Sequence, residues 1–228
     1  MIFDLEMMSI AEKKKSRDNT TGNVDQRRNV EGAAARPSSE AWGGNNLLEM
    51  PLLIKTKGVC SVQDIGNKDI FLAGAVNAFN TKRDDVLNRL NRQYEPVVAV
   101  AKLYQSEQVV PVIVGDCEFG RGVNGATGAF ATRSLGIRVV LARSFSPDFE
   151  LELKKHGLLP LTFTDADDYD LIQEKDHVSI IGMRSFEPEK PLTAIIYHAD
   201  RTQNSFEVAH SFNRQQIEWF RSGSVWNG

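Results

Sequence analysis

An uninterrupted apolar run at residues 109–115, VVPVIVG, constrains the fold of this chain more than any other stretch. A run without polar side chains is typical of a parallel strand that is covered on both faces. A glycine-rich loop follows the run, and small residues then predict a helix over residues 125–135. Because a buried strand, a loop and a helix form the repeating unit of α/β proteins, this segment predicts the α/β class.

Other segments repeat this alternation of strands and helices. Apolar runs predict strands at residues 52–54, 70–76, 137–141, 177–181 and 192–197. Apolar residues at helical spacing predict helices over residues 84–92, 97–105, 149–156 and 213–221. The apolar residues of the first helix are Val86, Leu87 and Leu90, and Gly157 stands where a C′ glycine would end the third.

The 228 residues divide into a polar tail and a domain. Residues 1–45 are rich in charged and small side chains and lack hydrophobic periodicity. We therefore predict a disordered tail there and one folded domain over residues 46–228. The net charge of −3 argues against general nucleic-acid binding, which requires a basic surface. Because neither a signal-peptide pattern nor a run of about 18 apolar residues occurs, we expect no membrane association and a cytoplasmic location.

Motifs for a metal or cofactor site do not occur in the sequence. Cys60 and Cys117 stand alone, whereas zinc and iron–sulfur sites usually take four ligands. We expect two buried, reduced thiols, no metal and no cofactor. A solvated loop and helix cap is the expectation for the acidic run Asp165, Asp167, Asp168 and Asp170.

Several long motifs link the chain to a known family. The segment LKKHGLLPLTF at residues 153–163 resembles NLKKQGLLPLTF of that family, and LIKTKGVC at residues 53–60 resembles LIKVKGKC. Residues 212–221, FNRQQIEWFR, resemble FNETQIEWFRAGS. From residue 47 onward the chain is similar to the C-terminal domain of mitochondrial-type aconitase, of the aconitase and isopropylmalate isomerase swivel family.

The resemblance implies a fold and a place in an enzyme. It predicts an aconitase-type swivelling β/β/α domain, a single domain of three layers. In the family this domain closes over an iron–sulfur cluster that three other domains hold, and it supplies a serine base and arginines for the substrate carboxylates.

At the positions of those chemical groups this sequence departs from the family. The loop YGEGSSRE is matched by FGRGVNGA at residues 119–126, so the two serines fall on Val123 and Asn124 and the arginine on Gly125. Valine has no proton acceptor and glycine cannot hold a carboxylate. The motif TDHIS is matched at residues 62–66, where its aspartate, histidine and serine become Gln63, Asp64 and Gly66, and the arginine of SFARIH becomes Pro147.

We predict that these two altered loops form a new small-molecule pocket. The predicted catalytic residues are hydrogen-bond donors that polarise a carbonyl group without transferring a proton: Gln63, Asn124 and Thr127. Predicted substrate-binding residues are Asp64 and Asn67 in the first loop, Arg121 for a single carboxylate, and Val123 as an apolar wall.

Three functions are compatible with this sequence. The first is a metal-independent enzyme for isomerisation or cyclisation of a small molecule, including a pericyclic step of the Diels–Alder type, in secondary metabolism, where orientation supplies the rate enhancement. The second is the small subunit of a two-chain hydro-lyase like isopropylmalate isomerase, with a large aconitase-like subunit as partner. The third is a non-catalytic interaction protein. The replaced serine and arginine positions weigh against the second.

Overall fold

The computed structural model describes residues 46–56, 85–122 and 124–227. Its strands are β1 (Leu47–Lys55), β2 (Asp85–Asn88), β3 (Gln93–Pro96), β4 (Val112–Gly115), β5 (Val139–Ala142), β6 (Leu159–Phe163), β7 (His177–Ile181), β8 (Leu192–Tyr197) and β9 (Gln203–Ala209). Its helices are α1 (Val97–Ser106), α2 (Gly125–Ser134), α3 (Pro147–Lys155), α4 (Asp168–Leu171) and α5 (Arg214–Ser222). Single 3-10 turns form at Met183–Ser185 and Val225–Asn227.

Seven strands close into a barrel in the order β1-β4-β5-β6-β9-β8-β7. The first four run parallel to one another, with Val112 opposite Val139 and Val139 opposite Leu159. Strands β7, β8 and β9 are antiparallel, and antiparallel pairs β1·β7 and β6·β9 join the two halves. The apolar run at 109–115 therefore ends in a central parallel strand, as its composition predicts.

Two apolar cores lie on opposite faces of the parallel strands. Val112 and Val114 point into the barrel and pack with β7–β9, whereas Ile113 packs outward against α1–α3. Because successive side chains of a strand point to opposite faces, a strand between two cores must be apolar at every position. Antiparallel strands, parallel strands and helices form three layers, which confirms the α/β fold class and its β/β/α arrangement.

The predicted helix over residues 84–92 is wrong, because residues 85–92 form the first strand and the turn of a β-hairpin. Val86 is buried, whereas Leu90 lies half exposed in the turn between β2 and β3. The turn is closed by Asn88: its side-chain oxygen accepts from the Leu90 N–H at 3.0 Å and its carbonyl from the Arg92 N–H at 2.7 Å. Three apolar residues at short spacing fit a strand and turn as well as a helix.

Most other predicted elements are confirmed within the described residues. Helix α3 ends before Gly157, whose φ of +68° is the left-handed conformation of a C′ glycine. Helix α5 begins with a capping box formed by Asn213 and Gln216. The predicted strand at 70–76 and the tail at 1–45 lie outside the described residues, so the domain boundary stays a prediction. None of the described helices is long and apolar enough to cross a bilayer.

Candidate functional site

The four parallel strands all end at one edge of the barrel, which we call the carboxyl edge. The chain leaves β1 at Lys55, β4 at Gly115, β5 at Ala142 and β6 at Phe163. In open parallel sheets, ligands bind outside the carboxyl ends of the strands, because the connecting loops meet there. The loop after β4 also leads into the amino terminus of α2, whose first turn contains no acidic side chain.

One arginine ties the loops of the carboxyl edge together. Arg143, directly after β5, donates to Asp116 Oδ1 at 3.1 Å, to Asp170 Oδ2 at 2.7 Å and to the Ala166 carbonyl at 2.8 Å. Its guanidinium carbon lies 4.3 Å from the centre of the Tyr169 ring. These contacts, which we call the Arg143 junction, hold the loops after β4, β5 and β6 in one arrangement.

A second cation, Lys55, also packs against the ring of Tyr169. Its Nζ lies 4.0 Å from the Tyr169 ring centre and donates to the carbonyl oxygens of Tyr169 at 2.9 Å and Ile172 at 2.8 Å. Burial lowers the pKa of Lys55, an effect opposed by the charge of Asp170. The Tyr169 hydroxyl donates to the Thr56 carbonyl, and burial followed by the charge of Asp116 raises the pKa of this phenol. This tyrosine is therefore a structural donor and not a base.

Sequence reasoning did not predict the Arg143 junction. The acidic run is solvated as predicted, and Asp170 is 69% exposed, but this side chain also pairs with Arg143. The predicted helix cap is wrong for α4, which has no side-chain cap; Asp165 instead accepts from the Asp167 N–H in the turn before it. A positional signal existed: Asp116 and Arg143 are the first residues after buried parallel strands. The prediction of a buried thiol is also wrong for Cys117, which is exposed at this edge, while Cys60 lies outside the described residues.

Three predicted site residues lie on the segment that runs from the loop after β4 into the first turn of α2. Asn124 is the N-cap of α2, and its side-chain oxygen accepts from the Thr127 N–H at 3.3 Å. Asn124 and Thr127 are both exposed. The Arg121 side chain is 62% exposed and pairs with Glu118, so its guanidinium is directed to a neighbour on the same loop. Sequence reasoning thus predicted the loop between β4 and α2, but it did not predict that Asn124 caps α2.

The other predicted site residues lie outside the described residues: Gln63, Asp64, Asn67 and Val123. The predicted pocket between the two loops stays a prediction for this reason. Within the part of the chain that the structure describes, no three His, Cys, Asp or Glu side chains converge, so this part offers no ligand set for a metal ion or an iron–sulfur cluster.

A histidine and a buried aspartate form a further polar network where β7 begins and β8 ends. His198 Nδ1 lies 2.9 Å from Asp176 Oδ2, and His198 Nε2 lies 2.8 Å from Asn204 Oδ1. Because both ring nitrogens face acceptors, the geometry favours the doubly protonated ring. Burial acts to lower the pKa of His198, but the hydrogen bond to Asn204 and the charge of Asp176 outweigh it and raise the pKa.

We expect His198 to stabilise the fold at acidic pH and to lose this effect as the pH rises. A folded-state pKa above the unfolded value of 6.5 gives a contribution that is complete below that pH and disappears as the pH passes the folded pKa. Urea unfolding at about pH 6 and about pH 8, for wild type and His198→Gln, measures the difference. The difference in the free energy of unfolding between wild type and the variant should fall with pH by well under roughly 1.4 kcal/mol per pH unit, the slope for one full proton.

His177→Gln is a control for which the opposite pH dependence of stability is expected. Burial, followed by the charge of Arg89, lowers the pKa of His177, so His177→Gln should remove a contribution that grows as the pH rises. A wild-type minus His198→Gln difference that is flat or increases with pH would contradict the assignment of a cationic His198.

Comparisons with known proteins match most of the chain to one family. The model of the aconitase C-terminal domain matches residues 50–166. The chain is 37% identical over 203 residues to a probable mitochondrial aconitate hydratase of Caenorhabditis elegans, and 37% identical over 201 residues to the mitochondrial aconitate hydratase of Gracilaria gracilis. Each alignment covers 82% of this chain and 26% of the relative, so the chain spans about a quarter of the length of these relatives.

A similar solved structure is 3-isopropylmalate dehydratase of Methanocaldococcus jannaschii. It is 15% identical, with a TM-score of 0.46, and the match covers 80% of this chain and 92% of that chain.

Proposed function

Because the chain belongs to the family of aconitase C-terminal domains, we propose that it works as a swivel-type domain that closes against an aconitase-like partner. The carboxyl edge then faces a small substrate held between the two. The partner corresponds to the three quarters of the mitochondrial relatives that this chain does not match, supplied by a second polypeptide or by another part of the same one.

The Arg143 junction is the observation that carries this proposal. It ties three loops to one another through a single guanidinium, so the carboxyl edge is a preformed surface. A preformed surface loses less conformational entropy when it docks than separately moving loops do. Arg121 and Asn124 are carried on one of these loops and are exposed, as residues that meet a partner or a shared ligand must be.

This proposal assigns enclosure and positioning to the chain, and not proton abstraction. Neither the amide of Asn124 nor the hydroxyl of Thr127 is a base at neutral pH. The exposed cation Arg121 and the amino terminus of α2 both favour an anionic group at this edge. A carboxylate-bearing substrate is therefore the class that fits the described part of the edge.

A second candidate is an enzyme that works alone, by metal-independent isomerisation or cyclisation of a small molecule in secondary metabolism. The observation that favours it is that Asn124 and Thr127 share the first turn of α2 without an acidic neighbour on that turn, so their donors can polarise a carbonyl group. Such chemistry needs water to be excluded, and both residues are exposed. In that case the residues that exclude water from the site would have to be Gln63, Asp64, Asn67 and Val123.

Binding to a partner tests the proposal. The full chain is titrated against the cluster-bearing three-domain part of an aconitase-like protein from the same genome, by calorimetry and sedimentation. We expect saturable binding that Arg121→Glu weakens at least roughly tenfold, because a reversed charge would face the docking surface.

Arg221→Glu is the matched control. Arg221 is also half exposed and also pairs with a glutamate three residues before it, at 2.9 Å, but it lies on α5 and not at the carboxyl edge. Both substitutions change the net charge equally and break an exposed pair of little stability. No binding by wild type, or equal weakening by both variants, contradicts the proposal, and no binding leaves the stand-alone enzyme as the leading candidate.

A location in the cytoplasm also stays a proposal, since the relatives named above are mitochondrial proteins. Fluorescent tagging of the full chain in its own organism, with a mitochondrial marker beside it, distinguishes the two compartments.

A further inference from the structure

A cavity opens between the β2·β3 hairpin and the adjoining ends of β7 and β8. Its volume is about 640 Å³, which is within the range of small-molecule sites. No residue of the Arg143 junction lines it. The lining residues are Leu87, Asn88, Arg89, Arg92, Tyr94, Lys175, His177, Tyr197, His198 and Ala199.

The charge of this lining has one sign. Arg89, Arg92 and Lys175 are permanent cations, His177 and His198 are titratable, and no aspartate or glutamate is among the lining residues. A concave surface with charges of one sign and low-dielectric walls concentrates ions of the opposite sign. Three carboxylates lie behind this lining and bond to it: those of Glu95, Glu174 and Asp176. None of them is among the lining residues, so the cations face a ligand directly and favour an anionic one.

Hydrogen bonds hold Arg89 in place beside the cavity. Its backbone N–H donates to the Tyr104 hydroxyl at 2.8 Å, and Nη2 donates to the Lys175 carbonyl. Its Nε is buried and has no hydrogen-bond partner among the described residues. Because the Nε is closed off from the cavity, Arg89 contributes its positive charge to the lining and not this donor.

Arg92 is held over the cavity in an uncommon backbone conformation. Its φ is +63°, in the left-handed region that glycine usually occupies, and its amide donates to the Asn88 carbonyl at 2.7 Å. A non-glycine residue in this conformation costs about 1–2 kcal/mol. The turn between β2 and β3 accounts for this conformation, and it fixes the position from which the Arg92 side chain reaches the cavity.

The uncharged part of the lining is aromatic and aliphatic. Tyr94 and Tyr197 come from facing elements, with Leu87 and Ala199 beside them. The Tyr94 hydroxyl lies 2.9 Å from both carboxylate oxygens of Glu174, which fixes the orientation of its ring. A ligand that fills this cavity must therefore combine negative oxygens with a flat apolar body.

We propose that this cavity binds a small organic dianion, in which a phosphate monoester or a vicinal dicarboxylate is carried on a flat apolar body. The lining cations Arg89, Arg92 and Lys175 bind the oxygens, and Tyr94 and Tyr197 contact the apolar body. The cavity lies at the same end of the barrel as the carboxyl edge, on its β7–β8 side, but shares no residue with the Arg143 junction. The proposal concerns a second site at that end and does not depend on the partner proposed above.

Calorimetric titration of the full chain at constant ionic strength tests the proposal. The probes are phenyl phosphate and phthalate, with inorganic phosphate for comparison. We expect saturable binding of at least one organic probe, at least roughly tenfold tighter than that of inorganic phosphate. The probe that binds identifies which dianionic group the cavity takes.

Two matched variants separate binding from folding and from net charge. Arg92→Gly removes a lining cation and relieves the positive φ, so it should fold at least as well as wild type and weaken binding at least roughly tenfold. Arg201→Gly removes the same charge at a similar φ of +75°, outside the cavity, and should bind as wild type does. Absence of saturable binding by wild type up to concentrations on the order of 10 mM overturns the proposal. So does inorganic phosphate binding as tightly as both organic probes, or equal weakening by both variants.

Discussion

Replacing Arg143 by methionine should lower the free energy of unfolding by about 2–4 kcal/mol, the largest loss expected from any single ionic contact described above. The Asp116 side chain is only 8% exposed, and the substitution removes the guanidinium that donates to it at 3.1 Å. It also removes the donor to the Ala166 carbonyl and the cation over the Tyr169 ring. A buried carboxylate that loses its cation is costly, because its desolvation is no longer offset. Urea unfolding monitored by fluorescence measures the change.

An exposed arginine from the same loops provides the control. Arg121→Met breaks the Arg121–Glu118 pair, in which both side chains are about half exposed or more, and should cost less than about 1 kcal/mol. The double variant Arg143→Met with Asp116→Asn should recover part of the loss, since the buried charge is then absent. If Arg143→Met and Arg121→Met destabilise equally, the Arg143 junction does not stabilise the carboxyl edge.

Replacing Gly157 by alanine should destabilise the domain at least as much as Arg143→Met does. The expected loss in the free energy of unfolding is roughly 3–5 kcal/mol. The φ of Gly157 is +68°, and a Cβ built on it would overlap the backbone carbonyl group of Gly223. Neither backbone can move without shifting the end of α3 or of α5. A backbone clash adds to the left-handed penalty of about 1–2 kcal/mol for a non-glycine residue.

Gly223→Ala isolates the conformational part of this cost. Gly223 has a φ of +87°, but the nearest atom to an added Cβ is Asn227 Nδ2 at 3.6 Å, an ordinary contact. We therefore expect a loss of only about 1–2 kcal/mol. Thermal or urea unfolding of the two variants in parallel gives the difference, and equal losses would show that the close approach of Gly157 to Gly223 is relieved by small shifts.

Structural features that depend on single residues or on short stretches of chain were predictable from the sequence. Strand β4 lies between two cores and is apolar at every position for that reason. The uninterrupted apolar run at 109–115 therefore indicates a doubly covered strand directly. Gly157 and Asn213 mark helix ends because left-handed φ and side-chain capping are properties of single residues. The family was likewise readable from the motifs at 153–163 and 212–221, and the family model confirms it over residues 50–166.

Only the tertiary structure decided what comes together from distant parts of the chain. Residues 85–96 form a hairpin and not a helix, because Val86 packs against the outer core while Leu90 stays in the turn. Arg143 meets Asp116 and Asp170, each 27 residues away in sequence, because parallel strands deliver their loops to one edge.

The cationic cavity is the strongest case of this kind. Its lining comes from residues 87–94, 175–177 and 197–199, and none of these segments carries a recognisable binding motif. Pattern reading detects the periodicity of single elements, whereas the convergence of charges depends on closure of the barrel and on the hairpin packed beside it. The sequence by itself therefore determined the layers, the helix ends and the family, and the tertiary structure decided which polar side chains meet, because burial and charge pairing act between elements far apart in the chain.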